Sequence, residues 1–277
     1  MTGPVRTHCI VDCEGAAMAA TLDEAPGATG LLIVTGGNEI RSGAFGGQAT
    51  LAAQIAREGY PVFRFDRRGV GDSEGANTGY TGSGADIAAA LSAFRAHCPA
   101  LKNVVGFGNC DGASALALHH AGGFGALVLA NPWLVDDAGQ VVDAPPAAPQ
   151  LSPAQIRARY LAKLTNPAEL RRLFTGGVSL RKLAGGVLRA GRKQAPSTML
   201  CQLQFCADEL GGRVHFLVAG ADRTGQSFVE SWDKGDPRLS TCAGASHGFA
   251  EAESREWLRD RLSGVLAQEQ ARQLDMA

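Results

Sequence analysis

No apolar run in this sequence approaches the ~20 residues that a membrane-spanning helix requires, so no transmembrane segment is expected. An excess of one charge is missing too. Lys and Arg number 26 against 27 Asp and Glu, and the net charge of -1 exerts no overall pull toward nucleic acid or an anionic membrane. The opening MTGPVRTHCIVDCEG lacks a basic segment followed by an apolar core, so no secretory leader is expected there. Seven cysteines supply no even disulfide framework, which fits the reducing cytoplasm better than an oxidising compartment. Neither a phosphate loop nor an RNA- or DNA-binding pattern occurs, so no cofactor and no nucleic-acid partner is expected.

What is present reads as a soluble α/β protein. Hydrophobic residues at 45% and charged ones at 19%, over 277 residues, suffice for one large domain or a domain carrying an insertion. The 36 glycines follow no repeat period and fall mostly at turns and helix ends. VRTHCIV and AAMAATLD read as an opening pair of strands, and LLIVTGG as a buried strand ending in glycines. A helix follows from about Gln48 to Glu58, with Leu51 and Ile55 four apart and Gly59 as its stop. PVFRFD, NVVGFG, ALVLANP, RVHFLVAG and LSTCAGA give further strands, with a helix over ADIAAALSAFRAH between the first two. A last helix carries Leu258, Leu262, Val265 and Leu266 on one face. Repeated strand–helix units predict a mostly parallel sheet covered by helices on both sides.

One segment breaks that rhythm. After the proline-rich DAPPAAPQ, roughly Ser152 to Lys193 reads as helices only, with stripes at Ile156, Tyr160 and Leu164 and at Leu180, Leu183 and Val187. The expected organisation is therefore a core over 1–138, a helical cap over 139–196 and a second core part over 197–277. The cap is basic: Arg157, Arg159, Lys163, Arg171, Arg172, Arg181, Lys182, Arg189, Arg192 and Lys193 stand against Glu169 alone. Such a face is either simply solvated or a lid that attracts an anionic or carrier-bound substrate.

The densest signal is VVGFGNCDGASALAL, from Val104 to Leu118. A short apolar strand runs into a cramped glycine turn and then a helix of small residues, with Cys110 between Gly108 and Gly112. A serine there would form the G-x-S-x-G nucleophile elbow. Together with IVTGGNEIRSG, FRFDRRGVGDSEG, LVLANPW, VAGADRTGQSF and GASHGF, in that order, the chain resembles the α/β-hydrolases. More narrowly it is similar to the exosortase A system-associated hydrolases, type one, which carry G-x-C-D in place of the serine elbow and are encoded beside a protein-sorting and exopolysaccharide system. The resemblance runs from about Leu31 to the last helix and implies the α/β-hydrolase fold and hydrolase activity. It departs at Asp66-Arg67-Arg68-Gly69, where relatives more often have an aromatic before the arginine.

The chemistry of the residues agrees with this assignment. A cysteine at a helix N-terminus meets unpaired N–H groups that favour the thiolate, although the Asp111 charge beside it opposes that. His247 follows the last core strand, where this fold presents its general base. Asp222 follows VHFLVAG, so the chain order is nucleophile, acid, base. Asp136 and Asp137, after the preceding strand, are the rival acids. The oxyanion hole needs two backbone donors, expected from Asp111 and from the TGGN turn at Gly37 or Asn38. Arg41 either reaches into the pocket as a substrate-binding residue or lies on the surface.

Other patterns are weaker. Gly106-x-Gly108 lacks a third small residue and does not open a dinucleotide fold. Cys9 and Cys13, like Cys201 and Cys206, lack a partner pair with ligand spacing and are expected in the core, so no metal is expected. Asp72 and Ser73 are expected to close a turn. The resulting expectation is a small-molecule ester or thioester substrate cleaved by Cys110, His247 and Asp222. An acyltransferase with the same triad and a non-catalytic binding protein are the alternatives.

Overall fold

The structure is a computed structural model that describes residues 4–121, 123–135 and 197–275. The cap expected over 139–196 lies outside the described residues, as do all ten of its basic side chains, Asp136 and Asp137.

Eight strands form one sheet: β1 (Arg6–Cys13), β2 (Ala16–Asp23), β3 (Thr29–Val34), β4 (Val62–Phe65), β5 (Asn103–Asn109), β6 (Ala126–Ala130), β7 (Val214–Ala219) and β8 (Leu239–Cys242). Their spatial order is β1-β2-β4-β3-β5-β6-β7-β8. β2 pairs antiparallel with both β1 and β4, and every other pair is parallel. The helices are α1 (Gly47–Arg57), α2 (Gly84–His97), α3 (Asp111–Leu118), α4 (Thr198–Leu210), α5 (Arg223–Ser231) and α6 (Ala252–Asp275).

The side-chain period of two explains the layers. In β3, Leu32 and Val34 join one core with Leu127, Leu129 and Phe216, under Leu91 and Phe94 of α2, Leu116 of α3 and Leu203 of α4. Leu31 and Ile33 point the other way, into a second core with Val105, Val128 and Leu217, closed by Ile55 of α1 and Leu258, Leu262 and Leu266 of α6. Strands buried on both faces must be apolar at successive positions, which is why they read as continuous runs. Emptying one such position, as in Leu32→Ala, costs roughly 2–5 kcal/mol.

Sequence boundaries hold to within a few residues, but α4 and α5 were not among the expected elements. The helix α5 is short, polar on one side and contains Gly225; its N-cap is Asp222, whose carboxylate accepts the Gly225 N–H at 2.9 Å. The helix α4 is capped by Ser197, which accepts the Leu200 N–H at 3.1 Å. Topology then places the site. From β3 the chain crosses to β4 on one side, and from β4 it returns past β3 to β5 on the other. The carboxyl ends of β3 and β5 therefore flank the point where the winding reverses, the usual crevice for a ligand in an open α/β sheet.

Candidate active site

At that reversal β5 ends at Asn109 and α3 begins at Asp111, leaving Cys110 alone to make the turn. Its φ of 59° and ψ of -127° lie where a side chain is strained, a state worth on the order of 1–3 kcal/mol. Two glycines permit the fold-back. A Cβ on Gly108 would lie 2.5 Å from the Gly112 carbonyl, and one on Gly112 would lie 2.5 Å from the Val34 oxygen. The elbow is fixed through its backbone: the Cys110 N–H donates to Ala130 O at 3.0 Å, and Trp133 N–H donates to Cys110 O at 3.3 Å. Cys110 is the N-cap of α3.

The structure brings His247 and Asp222 to the same edge. His247 sits in the loop after β8, and its Nδ1 is 2.9 Å from Asp222 Oδ2. The Cys110 side chain lies near enough to act on the imidazole electrostatically. Burial alone would lower the His247 pKa; the Asp222 hydrogen bond, with the influence of Cys110 and the Asp222 charge, outweighs it and holds the group up at about 10. For Asp222, burial pushes up, but the His247 hydrogen bond, the Gly225 N–H and the imidazolium charge bring the net pKa down. At neutral pH an ionised Asp222 carboxylate therefore faces a protonated imidazole.

The TGGN turn is placed beside the elbow but is not free. Gly37 N–H donates to the Asp111 carboxylate. Arg67 Nη2 donates to Gly37 O at 2.6 Å and lies 3.3 and 3.4 Å from the two Asp111 oxygens. Arg67, the residue at which the chain departs from its resemblance, is buried and held by Ser83 Oγ at 3.1 Å. Asn38 is exposed, and its Oδ1 accepts from Asn77 at 2.9 Å. Next to it, Glu39 accepts Ala44 N–H at 2.8 Å and Gln48 Nε2 at 2.9 Å. Burial raises the Glu39 pKa above the usual carboxylate range, the Ala44 N–H and the nearby His247 charge opposing it.

Arg41 donates to Asp66, to Asp72 at 3.0 Å and to Thr21 at 3.2 Å, supplying the cation that the buried Asp66 carboxylate needs. One expectation needs correction: Cys201 is exposed on α4 and not in the core, whereas Cys13 and Cys206 are buried. Asp72 and Ser73 do close a turn: Asp72 N–H reaches Asp66 Oδ2 at 3.2 Å, and Ser73 Oγ reaches Asp66 O at 2.7 Å. Among the described residues no cluster of three or more His, Cys, Asp or Glu is arranged to hold a metal, and no helix is long and apolar enough to cross a membrane. Asn109, Asn131, Glu39 and Arg67 also lie at or around the site; none was given a role there from the sequence, and the side-chain bonds of Asn109, Asn131 and Arg67 reach residues at least 16 positions away.

Comparison with known proteins bears on the whole core. Residues 31–261 match the model of the Alpha/beta hydrolase family. The Pyrococcus furiosus esterase Pf2001 has a similar structure, 14% identical, covering 96% of this chain and 91% of its own, with a TM-score of 0.61. GrgF, an Alpha/beta hydrolase from Penicillium sp. sh18, is 15% identical over 96% of this chain and 99% of its own, with a TM-score of 0.60. Est1E from Butyrivibrio proteoclasticus, solved with ferulic acid, is 12% identical over 95% and 99%, with a TM-score of 0.58. At such identities the likeness is one of fold. No curated protein matches the sequence. The extent of the family match, on a sheet with this order and a strained turn after β5, makes the chain a member of the alpha/beta hydrolase family.

Proposed function

We propose that the protein hydrolyses ester or thioester bonds through an acyl-enzyme on Cys110. The observation that carries the reading is the His247–Asp222 pair, bonded at 2.9 Å, with Cys110 on a strained elbow near enough to act on the same imidazole. Cys110 attacks as the thiolate on the acyl carbon, and the carbonyl electrons move onto its oxygen. The oxyanion takes the Asp111 N–H and one donor of the TGGN turn, each such donor being worth roughly 3 kcal/mol. As the tetrahedral adduct collapses, the bond to the leaving group breaks and the His247 imidazolium gives it a proton. The neutral imidazole then takes a proton from water, hydroxide adds to the thioester, and the carboxylic acid departs as sulfur regains its electron pair. Asp222 holds the ring tautomer and stays ionised throughout.

A nucleophilic thiol acts only while reduced, which suits a cytoplasmic setting. The motif resemblance further points to a hydrolase serving an exosortase and exopolysaccharide system, and the basic segment over 152–193 to anionic or carrier-linked acyl groups. The test is intact-protein mass spectrometry after rapid mixing with a short activated ester. A single acyl adduct mapping to Cys110 is expected, cleared by water, and Cys110→Ala should abolish both adduct and turnover while leaving the thermal midpoint unchanged. An unmodified Cys110 with continuing turnover sinks the proposal. Clearance only by an added alcohol or thiol would make the enzyme an acyltransferase.

A further inference from the structure

The Asn-Pro-Trp run after β6 takes no part in those steps, yet it is bonded to both reacting elements. Trp133 grips the elbow, its N–H on Cys110 O at 3.3 Å and its carbonyl accepting Ser114 Oγ at 2.7 Å. Asn131 faces the other way. It is wholly buried, with φ at 43°, a left-handed conformation that asparagine tolerates better than most residues. Its Oδ1 accepts the Ala219 N–H at 2.8 Å, which fixes which end of the amide is oxygen. Its Nδ2 donates to Asn109 Oδ1 at 2.9 Å and to the His247 carbonyl at 3.2 Å. Asn109, the neighbour of Cys110, donates to the same carbonyl at 3.1 Å. Gly225 leaves room for this, since a Cβ there would lie 2.6 Å from Asn131 Oδ1.

We propose that Asn131 and Asn109 are positioning residues, two amides closed on the His247 carbonyl that tie the loop of the base to the strand of the nucleophile. The proposal rests on Cys110 and His247 being the reacting pair. The His247 side chain is 43% exposed, so packing holds the ring only in part, and its place is set by backbone bonds and by Asp222. A clasp reaching that backbone from β5 and β6 couples the ring to the elbow by the shortest route the sheet offers. A misplacement of about 1 Å between reacting groups costs up to roughly 100-fold in rate, so a small slackening would show. The charged and titratable groups that act on the ring are Asp222 and Cys110, with Glu39 farther off.

Two variants test it in the full chain. Asn131→Asp keeps the shape and the acceptor for Ala219 but loses the donor; Asn109→Ala removes the other donor from a half-buried position. Each should lower kcat by about 10- to 100-fold on a short ester. KM should stay within about twofold, as for an interaction felt chiefly in the transition state. The His247 imidazole, followed by NMR, should titrate at lower pH than in the wild type, because its contacts with Asp222 and Cys110 slacken. Lower thermal stability with wild-type kcat and an unmoved His247 titration would reduce the amides to structural groups and overturn the proposal. Should Asn131→Asp fail to fold, Asn109→Ala decides alone. Cys110→Ala in parallel separates the two claims: its full activity strikes the assignment of the nucleophile, while the His247 titration still judges the clasp.

Discussion

Two carboxylates, one buried and one partly so, illustrate opposite uses of the same group. On the β1–β2–β4 side of the sheet, Asp23 accepts Arg6 Nε at 2.8 Å and Arg64 Nη2 at 3.0 Å, and both Asp23 and Arg64 are almost wholly buried. Near the carboxyl ends of β7 and β8, Asp222 accepts the Gly225 N–H and the His247 ring, each at 2.9 Å. The carboxylates are alike in bond length; the partners differ. A guanidinium keeps its proton at any accessible pH, so the first pair is static. An imidazole can give its proton up, and this one is partly open to solvent and close enough to Cys110 to feel it. Chemistry resides where the cation can cease to be one.

The largest effect should come from removing the charge at the titratable pair. Asp222→Asn should lower the chemical rate by on the order of 10³–10⁴, since the ring loses its tautomer and its counter-charge. A His247 pKa raised from 6.5 to about 10 means that the pair stabilises the fold in full below 6.5 and loses that contribution as pH rises through about 10. In Asp222→Asn the imidazole should titrate nearer the ordinary value and the alkaline loss of stability should begin earlier. An unchanged His247 titration in the variant would separate Asp222 from the base.

The static pair should give the converse result. Asp23→Ala leaves Arg64 buried beside no carboxylate, and breaking a buried pair from one side costs about 3–5 kcal/mol. For a chain of this size that corresponds to a fall in Tm of roughly 10 °C, with kcat per folded molecule unaltered. If kcat falls while Tm holds, the contrast fails, and the bond from Arg64 Nη1 to Arg41 O at 2.6 Å, running on toward Asp66, would be carrying influence to the site.

What could be read in advance divides along the same line. Strands buried on both faces are legible because adjacent residues such as Leu31, Leu32, Ile33 and Val34 must all be apolar. The elbow is legible because its constraint is local: Gly108 and Gly112 fold back onto each other within five residues. His247 and Asp222 follow from chain order once the elbow is fixed. The bonds of Arg41 were not legible, because closeness to the turn says nothing of Asp66, 25 residues on, to which it binds. The bond that Asn109 and Asn131 share was not legible although both lie in quoted motifs, since their common partner is 138 and 116 residues away. The helix α5 was hidden by the very residues that build the site, an acid at its cap and a glycine inside it.

The smallest predicted effect concerns Asp111, whose carboxylate is neither buried like Asp23 nor bonded to an imidazole like Asp222. It holds the Gly37 N–H, a donor that an oxyanion would need, while Arg67 Nη2 waits 3.3 Å away. For Gly37 to serve in catalysis the carboxylate must release that N–H and lean on Arg67. A hydrogen bond to a charged acceptor exceeds a neutral one by about 1 kcal/mol, so Asp111→Asn should ease the release and raise the rate of acylation by about fivefold. The change also removes a negative charge beside the nucleophile, which acts in the same direction. Arg67 keeps Gly37 O and Ser83 Oγ, so the loss of stability should stay near 1 kcal/mol. Burst kinetics with an activated ester would measure the acylation step apart from the hydrolysis that follows. A fall of about 100-fold instead, the size expected for a misplaced oxyanion donor, would mean that the carboxylate holds the turn in its working shape and that the second donor is Asn38.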